Sequence, residues 1–447
     1  MTTVPLLGHA SLDDIFAWRA NGPVRVHDYL ADVHALAELL PAGNSLLNVC
    51  QDRYHFAVGL AAGLISSKVS LQPSSQSAET LRQIRADYPD VCCLRDSDFD
   101  CLDLPCLEFP ELTTADPARV DSIPAIPTDR VAACLFTSGS TGRPMPHFKH
   151  WGRLVKNGRA EAERLGLLAR SHSVVGTVPP QHSYGFESTI LLALHGNAPF
   201  WSGKPFYPQD IVAALQAVPA PRLLVTTPFH LSALLAAGLE LPAVDLLLSA
   251  TAPLSTQLAA EAESRCQAPL HEIYGSTESG QTASRRTTDG PTWTLLADVH
   301  FDQESDLTIA HGGHVEGRVP LSDIIELVDE THFLLHGRHA DVINIAGKRT
   351  SLAYLNHQIT AIPGVVDAAF FLPDEESPDG ITRLCAFVVA PGLNSRELLA
   401  DLRQRVEPIF LPRPLVFMDA LPRNTTGKLP RTELQVLYAA KVGHGQR

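Results

Sequence analysis

The chain is short of positive charge. Its 447 residues hold 35 Lys and Arg against 49 Asp and Glu, a formal net charge of −14 at pH 7. Binding a phosphate backbone needs a surplus of basic residues, so a nucleic-acid partner is not expected. Long apolar runs are also missing. The longest, residues 232–250, is broken by Glu240, Pro242 and Asp245, whereas a membrane span needs roughly 20 continuous apolar residues. The opening MTTVPLLGHASLDD lacks the basic start and apolar centre of a secretory signal, so a cytoplasmic location is expected. Cysteine is sparse: Cys50, Cys92, Cys93, Cys101, Cys106, Cys134, Cys266 and Cys385. Without a route to an oxidising compartment they read as buried free thiols. The cluster Cys92, Cys93, Cys101, Cys106 lacks the paired spacing of a zinc site. What the chain does have is core material: 45% hydrophobic against 19% charged residues, enough for several domain-sized units.

The first quarter alternates strand and helix signals. Strands are expected at 44–50, 68–72 and 90–94. A helix over 52–66 places Phe56, Leu60 and Leu64 on one face, and Ser77 caps another with Leu81, Ile84 and Tyr88 together. That order is the pattern of a parallel sheet covered by helices. The proline-bearing stretch 108–130 reads as a connector, followed by a buried strand at 131–136 and further strands at 223–227 and 244–250. Beyond Gly337 the pattern becomes a small α+β unit, with a helix capped by Ser351 and another over 394–409. The expected architecture is α/β: a large N-terminal domain of parallel-sheet subdomains, residues 1–339, and a small mobile α+β domain, residues 340–447.

Four segments carry chemistry. Thr137, Ser138, Gly139, Ser140, Thr141 and Gly142 put two glycines and four hydroxyls directly after a buried strand. Such a loop can turn several N–H groups toward phosphate oxygens, although it also reads as a tight Ser/Gly turn. It is not a Walker loop, because no Lys-Ser or Lys-Thr closes it. In Tyr274, Gly275, Ser276, Thr277 and Glu278 an aromatic ring beside a glycine suits a flat base, and the carboxylate suits a hard cation. Asp323 offers acceptor oxygens for ribose hydroxyls, and Arg338 lies where the chain enters the small unit. Lys428 sits on a glycine-bearing loop.

In this order the four segments resemble the adenylate-forming superfamily of acyl- and aryl-CoA synthetases, luciferases and peptide-synthetase adenylation domains. The resemblance runs from Val131 to Arg431. It implies an AMP-forming acid–thiol ligase: a carboxylate attacks the α-phosphate of ATP, pyrophosphate leaves, and a thiol takes the acyl group. By resemblance Lys428 meets charge growing on the phosphoryl oxygens, Glu278 with Thr277 holds Mg²⁺, Tyr274 packs on adenine, Asp323 and Arg338 bind ribose, and residues 137–142 cradle phosphates. Ala340 and Asp341 match the hinge, and Gly347, Lys348 and Arg349 the thiol-transfer segment. The chain departs from the family in three places. Met145 stands where many relatives have Lys, with Lys149 a replacement only if the loop folds back. Ala340 stands at the pivot. Only 45 residues separate Glu278 from Asp323, which implies a reduced barrel-like subdomain.

The segment 178–187 resembles the pocket entry. There His182, Ser183, Tyr184 and Phe186 border a partly apolar slot, opposite Ser249, Ala250, Thr251 and Ser276. Amino-acid-activating relatives carry Asp where this chain has Ser183, which argues against an ammonium-bearing substrate. Glu187 reads chiefly as a helix-start carboxylate near the sheet edge. Compact size, Met145 and RPMPHFKHW resemble the short ligases of aryl-polyene and xanthomonadin-type pigment pathways, implying a hydroxyaryl acid charged onto an acyl carrier protein or CoA. A fatty acyl-CoA or acyl-carrier-protein synthetase and a catalytically silent nucleotide-binding homologue are the alternatives. Lys149, Arg153, Lys156, Arg159 and Arg164 form a basic strip that suits an acidic carrier or a solvated helix face.

Overall fold

The computed structural model describes residues 2–73, 75–112, 115–138, 144–305, 307–338, 342–345, 348–373, 384–424 and 429–442. Two large sheets dominate. The first has six strands in the spatial order Pro144–His150, Val131–Ser138, Val69–Gln72, Ser45–Asn48, Val91–Arg95 and Cys106–Glu108. All neighbours are parallel except Pro144–His150, which folds back antiparallel on Val131–Ser138. The second has eleven strands. Its parallel centre runs Leu270–Ser276, Leu246–Ser249, Arg222–Thr226, Ser173–Gly176, Phe200–Trp201 and Ile15–Arg19, with antiparallel strands at both ends.

Each parallel strand needs a crossover, and the helices that supply it cover both faces. The largest apolar cluster lies between the sheets. It joins Leu46 and Leu94 of the first to Val174, Leu223 and Leu248 of the second, through Phe56 and Leu60 of helix Arg53–Ile65. A second cluster seals the outer face of the larger sheet under helices Pro208–Ala217, Pro228–Ala236 and Thr256–Cys266. Ser77 caps Ala78–Asp87 by accepting from the Thr80 N–H at 3.3 Å, as its sequence position implies.

Residues 299–321 form a small separate sheet of three antiparallel strands. The C-terminal unit packs helices Leu352–Thr360 and Ser395–Leu402 on the strands Asp367–Phe371, Cys385–Val389 and Leu415–Phe417. The second helix is shorter than its 394–409 apolar pattern implies. It ends at Leu402, and Pro408 then starts a 3₁₀ turn. The cysteines differ from expectation at one place. Cys101 and Cys106 are joined as a disulfide, with the Cys93 sulfur within 4.8 Å of both, while the other six are buried free thiols. The parallel register that sets Cys93 beside Cys106 is what brings distant sulfurs together. Among the described residues no helix is long and apolar enough to cross a membrane.

Candidate active site

In open α/β sheets ligands bind beyond the carboxyl ends of the parallel strands. Four such ends carry the sequence motifs: Thr137 and Ser138, residues 177–182 after Gly176, Ser249 with Ala250 and Thr251, and Tyr274 to Ser276. Thr251 takes a φ of +78°, a left-handed conformation that a β-branched residue adopts at a cost of about 1–3 kcal/mol, typically at a functional turn.

The hairpin 131–150 aligns Met145, His147 and Lys149 opposite Thr137, Leu135 and Ala133, so these six share one face. Met145 is 52% exposed, whereas Lys149 is 5% exposed. Thr137 Oγ1 lies 2.9 Å from His147 Nε2, and that nitrogen lies 3.8 Å from a Glu278 carboxylate oxygen. Lys149 Nζ donates to the Glu278 carbonyl at 2.8 Å. The start of the hydroxyl-rich loop and the Tyr–Glu turn therefore face one another across His147. Alternation along 145–149 was the available signal for His147, which the sequence reading passed over. Burial holds the His147 imidazole below its ordinary value, with Lys149 pushing the same way against Glu278.

Tyr274 continues the site away from that turn. Its ring packs beside Trp293 and Phe333, with centroids 5.8 and 5.6 Å away. Its hydroxyl donates to Asp323 Oδ2 at 2.8 Å. Asp323 pairs in register with Arg338 on the neighbouring strand. The Arg338 backbone thus lies beside Asp323, which Tyr274 reaches from 49 positions away. The tyrosine hydroxyl orients the Asp323 carboxylate.

The acid-side segment is continuous helix from Ser183 to His195, with a π-helical stretch at Phe186–Leu191. His182 caps it by accepting from the Tyr184 N–H at 3.2 Å. Two expected slot residues are placed differently. Tyr184 is buried with its hydroxyl donating to the Leu248 carbonyl at 3.0 Å, and Phe186 is fully buried against Phe56. Both belong to the apolar cluster between the sheets, because helical turning carries their side chains toward it. Ser249 is buried, Ala250 nearly so, and the Ser276 hydroxyl lies 3.1 Å from that of Ser279. Gly185 cannot be replaced in place, since a Cβ there would lie 2.1 Å from the Pro179 oxygen.

Behind the turn sits a buried polar group. Glu187 does stand in the first turns of its helix, but it is not a solvated carboxylate. It is buried, accepts from Asn157 Nδ2 at 3.1 Å, and faces Lys149. Burial pushes its carboxyl up to about 7 against the pull of Lys149 and Asn157. Glu161, fully buried beside Ser188 and Gln281, is pushed up to about 8, chiefly by desolvation. The basic strip is also dispersed. Lys149 points inward, Arg153 donates to the Gly313 carbonyl, and Arg164 donates to the Leu295 carbonyl at 2.6 Å. Lys348 pairs with Glu407, and the Arg349 backbone pairs with Asn344. Gly139, Ser140, Thr141, Gly142, Ala340, Asp341, Gly347 and Lys428 lie outside the described residues.

Comparison with known proteins agrees with this geometry. Residues 46–302 match the model of the AMP-binding enzyme family, and residues 356–428 match its C-terminal domain. A 4-coumarate–CoA ligase of Rhodobacter capsulatus is 29% identical over 306 residues, covering 67% of this chain and 75% of that protein. One from Halorhodospira halophila is 28% identical over 304 residues, covering 66% and 73%. Among solved structures, ATP-bound MatB from Rhodopseudomonas palustris superposes with a TM-score of 0.81 at 19% identity, covering 96% of this chain and 97% of that one. The o-succinylbenzoate CoA synthetase of Bacillus subtilis with its acyl-adenylate gives 0.81 at 17% identity, covering 97% and 99%. With a family model spanning more than half of its length, and the Thr137 and Tyr274–Glu278 segments meeting across His147 where the two sheets face each other, the chain belongs to the AMP-binding, adenylate-forming family of acid–CoA ligases.

Proposed function

We propose that the protein activates a hydroxyaryl acid as its adenylate and passes the acyl group to the thiol of CoA or an acyl carrier protein. The observation that carries the acid class is the engagement of Glu187. The one carboxylate on the pocket-entry segment is buried against Lys149 and Asn157. It is not left over to pair with a substrate ammonium, and an unpaired buried ammonium is costly. A neutral, flat acid fits what remains. The relatives that bear the name 4-coumarate–CoA ligase favour an aryl acid over a fatty acid.

The residues take the following parts in this reading. Asp323, held by Tyr274, and Arg338 orient the ribose, and Tyr274 flanks the base. Thr137 to Gly142 hold the phosphates. Magnesium fits the donor set: Glu278 presents a half-exposed carboxylate, with the hydroxyls of Thr277 and Thr137 nearby in the fold, and hard cations take oxygen ligands. Bound there, it would neutralise charge between phosphates. Lys428 meets the α-phosphate as the acid attacks. Residues 340–447 act as a mobile unit pivoting at Ala340 and Asp341, with Gly347, Lys348 and Arg349 guiding the thiol. His182, Ser183, Thr251 and Ser276 border the acid.

A pyrophosphate-release assay over a panel of acids, run with CoA and with a carrier protein, tests the proposal. Release with 4-hydroxybenzoate or a hydroxycinnamate should exceed that with acetate or octanoate. Equal or faster release with octanoate would favour the fatty-acid reading, and no release with any acid would favour a silent homologue.

A further inference from the structure

Lys149 links the two halves of the site. It lies on the hairpin strand, two residues beyond His147, with its stem among core residues. Its ammonium donates to the Glu278 carbonyl at 2.8 Å. The charged groups facing it come from three other elements: Glu187 on the acid-side helix, Glu316 on the loop between the strands Leu307–Gly312 and Arg318–Leu321 of the small sheet, and Glu278 on the turn. His147 and His314 also lie close enough to feel its charge.

The turn itself is seated on the same group. Gly280 closes it at a φ of +72°, and a Cβ there would lie 3.0 Å from Asn157 Nδ2 and 3.2 Å from Glu187 Oε1. Arg153 and His150 pin the loop 313–316 beneath it, through the Gly313 carbonyl and Glu316. A buried ammonium needs its acceptors in place, because losing one exposes the full desolvation cost. A carbonyl that accepts from it has its peptide plane fixed, and with it the direction in which the Glu278 side chain leaves the backbone.

We propose that Lys149 is a positioning residue: by gripping the Glu278 carbonyl and bearing on Glu187, it aims the Glu278 carboxylate at a magnesium–nucleotide complex. The inference rests on the proposed nucleotide site. It assigns to an interior lysine the charge missing at Met145, without placing that charge on the phosphate loop.

The test is calorimetric titration of the full chain with ATP, in magnesium and in EDTA, for wild type, K149M, E278Q and the double variant. K149M should weaken Mg-ATP binding at least tenfold and ATP binding in EDTA less than threefold. Because the effect passes through Glu278, the double variant should bind no more weakly than E278Q alone. Far-ultraviolet circular dichroism checks folding. If K149M does not fold, K149Q, which removes the charge, is read in its place, with the same magnesium-specific loss expected. A loss equal with and without magnesium, or one that adds fully to E278Q, would reduce Lys149 to a packing residue and overturn the proposal. A wild-type chain that binds no Mg-ATP overturns this inference and the reading beneath it together. Wild-type binding with unchanged Mg-ATP affinity in K149M overturns this one alone.

Discussion

Glu161 should make the protein less stable as pH rises through neutrality, and E161Q should remove that loss. The carboxyl sits fully buried on helix Trp151–Arg164, beside Ser188 and Gln281 and near Glu187. Below the ordinary glutamate value of 4.5 the group is protonated in both folded and unfolded chains, and its burial carries no charge penalty. Above it the unfolded chain releases the proton while the folded chain keeps it, so stability falls with pH. The fall ends where the folded carboxyl itself ionises, at about 8. Each pH unit in that window is worth about 1.4 kcal/mol, so the loss between pH 5 and pH 8 is on the order of 4 kcal/mol. Glutamine keeps the shape and the hydrogen-bonding capacity but does not titrate. Urea unfolding followed by the fluorescence of the buried Trp151 and Trp293 should show E161Q gaining on wild type by that amount across the window. Glu187 titrates in both proteins and largely cancels from the difference. A gap that stays constant within about 1 kcal/mol from pH 5 to pH 8.5 would refute the reasoning.

Asp323→Ala should weaken ATP binding about tenfold or more, and Tyr274→Phe by a smaller factor, since it removes only the bond that orients the carboxylate. Titration with ATP measures both, and unchanged affinity in the alanine variant would remove Asp323 from the site. Arg53, fully buried, donates to the carbonyls of Gly176, Val178, Trp201 and Gly203 and so ties the pocket-entry loop to the neighbouring strand. Arg53→Met should cost about 3 kcal/mol in urea unfolding, and a cost near zero would show that water replaces the donor. Gly185→Ala drives a methyl into the Pro179 oxygen and should raise KM for the acid more than KM for ATP; equal effects on both would mean general unfolding. Lys428→Ala should abolish acid-dependent pyrophosphate exchange while ATP still binds, and exchange at the wild-type rate would reject its role.

The motifs and most elements were legible because they are local. A cap such as Ser77, the spacing of Phe56, Leu60 and Leu64, and a glycine-bearing turn after a buried strand each act within a few residues. The family follows from the order of those segments. What tertiary structure alone decided is which groups meet and which lose water. Lys149 and Glu278 are 129 positions apart, and Tyr274 and Asp323 are 49 apart, so no periodicity pairs them. The face of the hairpin that carries Met145 into solvent carries Lys149 into the interior, because the small sheet and the acid-side helix cover only its far end. Burial of Glu161 and Glu187 has the same origin: a charged residue on a helix reads as solvated until a second layer packs over it. Sequence pattern therefore determined the elements and the chemistry each can offer, while the dielectric around each charge, and with it the working state of the site, came from the packing of two sheets against each other.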